Sequence, residues 1–212
     1  MLHQLKGYHV DSLEGFKAYL EKFTTNQNNS SRRLNIPISQ LDKASLTYTT
    51  GAPTDPTAII THECTQGELK DRLKKGGLNE NLVGQFCIVM AYEYWEQIRG
   101  DIADILQVKR DDIKSDIFGD IRRFRHDIVH NIGMATSGHS EKTVILKWFK
   151  DGVPIIIDNK NLDTIIGEII NYFNHLIQDN TGQIPYTDNS LSLTGKAKQM
   201  KYIKAGKMKI KK

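Results

Sequence analysis

The stretch RRFRHDIVHN, Arg122 to Asn131, crowds three arginines and two histidines into ten residues. Histidine, with an ordinary pKa of about 6.5, is the side chain that moves protons near neutral pH, and arginine carries a permanent charge on a planar fork that fits phosphate oxygens. Together they suit a reaction in which one group exchanges a proton while another stabilises negative charge gathering at phosphorus. His126 and His130 stand four apart, Arg125 adjoins them, and Asp127 and Asn131 add polar groups before Gly133 closes the segment.

The helix that must carry these groups is visible in Ile113, Ile117, Ile121, Phe124, Ile128 and Ile132, which recur at steps of three or four. Measured from Ile121 at about 100° per residue, the apolar stripe centres near ~320°, Arg125 falls near ~40°, His126 near ~140° and His130 near ~180°. Both histidines therefore point away from the chain's own core, with Arg125 at the border. A solvated cationic face is the plain alternative; the histidine pair with its bordering arginine points to a site that a second protomer completes.

Further elements frame this helix. DSLEGFKAYLEKF, residues 11–23, predicts one helix, and residues 24–64 read as a polar loop and an extended, Thr- and Pro-rich excursion with room for a short hairpin. Thr65 and Glu68 form a capping box ahead of ELKDRLKK, which Gly76-Gly77 ends. In the long apolar helix that follows, Val83, Phe86, Cys87, Met90, Tyr94 and Ile98 are expected to face the core, with Glu96 and Arg99 on the outer side. KTVILKWFKDGVPIII predicts a β-hairpin near 142–157 turning at Lys-Asp-Gly, and NLDTIIGEIINYFNHLIQ a last helix with Leu162, Ile165, Ile166, Ile169, Ile170, Phe173 and Leu176 inward. The expected organisation is residues 1–75 packing on the bundle as helix, excursion and short helix, a helical core over 76–180, and a flexible lysine-rich tail over 181–212. The fold class is mainly α: a bundle of four to five helices with a small β-hairpin appendage.

The last 17 residues hold eight lysines and no acid, so the formal charge of +4 becomes −4 without them. Such a block is either a solvated end or an arm for a polyanion, with Lys201, Lys204 and Lys207 as RNA-backbone contacts in the second case. No apolar run is long enough to span a bilayer and no signal-peptide core opens the chain, so a cytoplasmic location and no membrane partner are expected. Cys64 and Cys87 have neither CxxC spacing nor a ligand cluster around them, and both are expected reduced.

The segment RHDIVH is Arg-x4-His with a polar residue after the arginine, and it resembles the R-x4-6-H signature of the HEPN superfamily, helical domains of RNA-cleaving toxins and antiviral defence proteins. AYEYWEQIRGDI on the earlier helix and GDIRRFRHDIVHNIG around the motif are similar to HEPN segments, over roughly residues 80–178. His126 stands where that family most often has Asn. The resemblance implies a homodimer whose two motif helices line one cleft, and a metal-independent endoribonuclease in which the ribose 2′-OH attacks the adjacent phosphorus. In that reading His130 is the acid/base, Arg125 clamps the phosphate, His126 positions it or tunes His130, and Asn131 holds the imidazole tautomer. Glu96 and Arg99 orient the site or form a plain surface ion pair. Arg122 and Arg123 bind RNA backbone or sit in solvent. Single-stranded RNA or exposed loops are the expected substrates, and an antitoxin or other regulatory protein the expected restraint.

Two further readings stay open: a non-catalytic HEPN-like binding or scaffold module, and a metallohydrolase built on the His126, His130 pair. The second is the weaker, because no H-E-x-x-H pattern exists and His3, His9, His62, His139 and His175 are scattered. No cofactor and no metal are therefore expected.

Overall fold

A computed structural model describes residues 1–52 and 54–181. The elements run α1 (Leu2–Leu34), α2 (Ile38–Leu41), β1 (Ser45–Thr49), β2 (Ile60–Thr65), α3 (Gln66–Leu73), α4 (Leu78–Leu106), a 3-10 turn (Arg110–Asp112), α5 (Asp116–His130), α6 (Ser137–Ser140) and α7 (Asn159–Thr181). The chain is mainly helical with a small antiparallel β-hairpin, and among the described residues five helices have eight residues or more. None of them is long and apolar enough to cross a membrane.

The first helix is much longer than its apolar spacing suggests. α1 continues through TTNQNNSSRR, expected as a loop, because Gln27 is buried there and its amide donates to Asp42 Oδ1 at 2.8 Å and Gln66 Oε1 at 2.9 Å. Tertiary hydrogen bonds thus override the weak helix propensity of Asn, Ser and Thr. Asn35, at φ 51°, ends the helix two residues before Pro37.

The hairpin lies at 45–65, not near 142–157. β1 pairs with β2 from Ser45↔Thr65 to Thr49↔Ile60, and Thr65 then caps α3: its hydroxyl accepts from the Glu68 amide at 3.2 Å, and Glu68 Oε2 accepts from the Thr65 amide at 2.6 Å. At 142–157 the strand partners are taken. The amides of Val144, Ile145 and Leu146 all donate to the Asp120 carboxylate, at 2.7 to 3.0 Å. Ile155 instead donates to the Gly133 carbonyl at 2.8 Å, and Met134 bridges Pro154. The alternation of the second run survives as extended chain, with Ile155 and Ile157 fully buried.

The core lies between α4, α5 and α7. Trp95 stacks on Phe118 with ring centroids 4.1 Å apart and planes 5° from parallel, and Tyr172 meets both edge-on. On α4 the buried line is Val83, Gly84, Cys87, Ile88, Ala91 and Trp95, rotated from the expected face, and Phe86 is exposed and meets Tyr8 of α1 edge-on at 5.6 Å. The rotation lets backbone approach closely: a Cβ on Gly84 would come within 2.3 Å of the Ile157 carbonyl oxygen. Ile117, Ile121 and Phe124 of α5 are buried as their spacing predicts, as are Leu162, Ile165, Ile166 and Ile169 of α7. Ile132 departs from the stripe: it lies past the end of α5 at φ 54° and is 94% exposed.

Candidate functional site

α5 starts at Ser115, whose hydroxyl caps the Phe118 amide, and ends in the left-handed turn of Ile132 and Gly133. Amphipathic packing against α4 fixes its rotation and leaves His126 and His130 on the outer side, as the wheel predicts. The two imidazoles are in contact, with centroids 4.6 Å apart.

A third imidazole joins them. His139 of α6 lies edge-on to His126 with centroids 4.5 Å apart, so His126 touches both His130 and His139. Beneath them Asp127 is 1% exposed and takes four hydrogen bonds: from His139 Nδ1 at 2.6 Å, Asn131 Nδ2 at 2.8 Å, and the Thr136 amide and hydroxyl at 3.0 Å each. Burial pushes the Asp127 pKa up, but the bonds from His139, Thr136 and Asn131 outweigh it and hold the carboxyl below its usual range. Asp127 itself sits on the buried side of α5 and reaches round to the turn 131–136, which is how a core-facing acid organises a surface cluster.

Asn131 has a different partner from the one expected. It donates to Asp127 and holds no imidazole; the imidazole fixed by a hydrogen bond is that of His139, and Asp127 fixes it. His139 and Thr136 are the residues that sequence reasoning passed over. Their signal was slight: a Thr-x-x-His following within six residues of the Gly133 helix stop, with no periodicity to tie it to α5.

Arg125 reaches the other way. Its Nη2 donates to Glu93 Oε1 of α4 at 3.1 Å, and its guanidinium carbon lies 5.8 Å from the centre of the Tyr92 ring. Five residues separate Arg125 from His130, about 140° around one helix, so a single chain sets guanidinium and imidazole on different sides of α5.

On the Tyr92 side lies an open cleft of about 270 Å³ bordered by Tyr92, Glu96, Arg99, Lys114, Arg122 and Arg123. Glu96 and Arg99 help to shape it by anchoring the 3-10 turn. Arg110 Nη2 donates to both the carbonyl and Oε2 of Glu96 at 2.7 Å, Arg99 Nε donates to the Arg110 carbonyl at 3.0 Å, and Arg99 and Glu96 approach to 3.6 Å. Arg123 pairs with the buried Asp120 at 3.0 Å, whereas Arg122 is exposed. The structure therefore groups Glu96, Arg99, Arg122 and Arg123 at the cleft and His126, His130 and Asn131 at the imidazole cluster. Lys201, Lys204 and Lys207 lie outside the described residues. Cys87 is a core residue whose thiol is pushed up to about 11 by burial, far from the range of a nucleophilic thiolate.

Comparison of the chain with protein-family models, curated proteins and solved structures finds no match.

Proposed function

We propose that this protein is a metal-independent endoribonuclease of the HEPN type, with RNA cut at a composite site between two copies of α5. The observation that carries the proposal is the cluster of the His126, His130 and His139 imidazoles at the outer side of α5, one to two turns from a cleft that Arg99, Lys114, Arg122 and Arg123 line together with Glu96 and Asp116. Proton transfer and phosphate binding are the two capacities that RNA cleavage by its own 2′-OH needs.

In this mechanism His130 accepts the proton of the attacking 2′-OH or delivers one to the leaving 5′-oxygen. Arg125 neutralises the charge added at phosphorus as the oxygen attacks. His126, in contact with two rings, positions the phosphate. Arg99, Lys114 and Arg122 at the cleft carry flanking backbone, and unpaired RNA fits best because its backbone is free to adopt the in-line geometry. The 140° between Arg125 and His130 supports the dimeric form, in which each cleft takes one group from each copy. Val129 and Ile132, exposed at 51% and 94% beside the histidines, give that contact an apolar centre.

Wild type and the Arg125→Ala, His130→Ala double variant, each incubated with total RNA in EDTA, test the proposal. Fragments ending in 2′,3′-cyclic phosphate, reduced at least ~10²-fold in the variant, are expected; intact RNA with both proteins would count against it.

Glu93 favours a second reading. Its bond to Arg125 neutralises the guanidinium within one chain, as befits a non-catalytic scaffold module in which the motif residues serve assembly. There the double variant changes the sedimentation of the protein and neither form consumes RNA.

A further inference from the structure

Asp127 treats the three imidazoles unequally. Its Oδ1 takes the Nδ1 hydrogen of His139 across 2.6 Å, which leaves the His139 Nε2 lone pair uncommitted. A carboxylate gripping one ring nitrogen while the other stays open is how proteins aim a histidine at a metal ion. His126 contacts both His139 and His130, and donor atoms of His126, Asp127 and His139 all lie within 4.8 Å of one another. Solvent reaches the cluster, since the side chains of His126 and His139 are 50% and 28% exposed.

We propose that His126 and His139, with the Asp127 carboxylate within 4.8 Å of both, hold a divalent transition-metal ion of the zinc class. Imidazole donors select zinc and its neighbours over calcium and magnesium, which take oxygen. Asp127 is an orienting group here because its oxygens already serve His139, Asn131 and Thr136. The site stands apart from the ribonuclease proposal, since binding needs only the two neutral imidazoles and the carboxylate beside them. It has a consequence for it: an ion on His126 takes the ring that would position the phosphate, so zinc inhibits cleavage and chelation restores it.

Zinc itself is the probe. The full-length chain, stripped with EDTA and dialysed, is titrated calorimetrically with zinc sulfate at neutral pH, and circular dichroism checks that each variant folds without metal. One ion per chain is expected. Asp127→Asn weakens binding by roughly 10–100-fold, and His126→Ala and His139→Ala each weaken it further, while His62→Ala, on the hairpin, has no effect. Cobalt gives a second readout through visible bands that vanish in His139→Gln. No uptake, or uptake unchanged in both His126→Ala and His139→Ala, overturns the site. Zinc bound with RNA uncut even in EDTA ends the ribonuclease proposal and leaves the metal site standing; RNA cut in EDTA by a chain that takes up no zinc does the reverse.

Discussion

Asp120 and Asp127 stand seven residues apart on α5, both almost wholly buried, and they hold the protein together in different ways. Asp120 is 0% exposed and spends its carboxylate on the amides of Val144, Ile145 and Leu146 and on Arg123. Nothing it touches titrates near neutral pH. Asp127 is equally buried, yet one of its partners is an imidazole that continues into a stack of three at the surface. The first carboxylate closes a loop onto the core; the second ties the turn 131–136 and the His139 imidazole to the core. Equal burial therefore does not mean equal purpose, and the partners decide.

The sharpest way to break the comparison is Asp120→Ala. It leaves three backbone amides and a guanidinium without their buried acceptor, which costs about 3–5 kcal/mol by the usual measure of a broken buried ionic centre. For a chain of this size that lowers Tm by about 6–20 °C, read by thermal unfolding. A loss under 1 kcal/mol would mean the loop 144–146 finds other acceptors and Asp120 is no staple.

Asp127→Asn is milder, about 1–3 kcal/mol, because Asn keeps one acceptor oxygen and the turn 131–136 is closer to solvent. Here pH separates the two readings. The folded state holds the Asp127 carboxyl below its ordinary value, so its contribution is complete above the unfolded value of about 3.9 and is lost as pH falls through the lower folded value. The Tm gap between wild type and Asp127→Asn should thus stay wide at pH 5 and narrow below about pH 4. A gap that is flat down to pH 3 would deny Asp127 its charged hydrogen bonds.

Some of this was legible in the sequence and some was not, and the division follows how local each cause is. The Thr65–Glu68 capping box is complete within four residues, and it forms as written. The stripe of α5 needs only one helix to be read, and it correctly sends His126 and His130 outward. The hairpin at 142–157 fails because a strand's fate depends on where its amides go, and Asp120, more than 20 residues earlier, claims three of them. Gln27 likewise extends α1 only through Asp42 and Gln66, which local propensity cannot see. At the site, the histidine pair was visible as an i,i+4 spacing, whereas His139 arrives through a turn whose shape Asp127 imposes. Long-range polar bonds made by buried polar side chains are thus what the sequence hides best in this chain.

The smallest expected effect concerns the turn that Asp127 shapes. A β-branched residue at φ 54° carries about 1–2 kcal/mol of steric cost, and Ile132 recovers none of it through burial in the single chain, being 94% exposed. Ile132→Gly relieves that cost but restores backbone entropy to the unfolded chain, so the net gain is at most about 1 kcal/mol, or ~2–4 °C in Tm. If the side chain is kept for contact with a second copy beside the histidines, the same substitution removes up to about 1.5–3 kcal/mol of apolar burial from the assembly, roughly a 10–100-fold weaker dimer. Sedimentation and thermal unfolding on one sample read both quantities. A more stable chain that assembles less well places the strain of Ile132 in the service of the interface, in the turn that Asp127 shapes. A chain that loses stability, or assembles as before, would return Ile132 to an ordinary surface residue and leave the imidazole stack without its apolar neighbour.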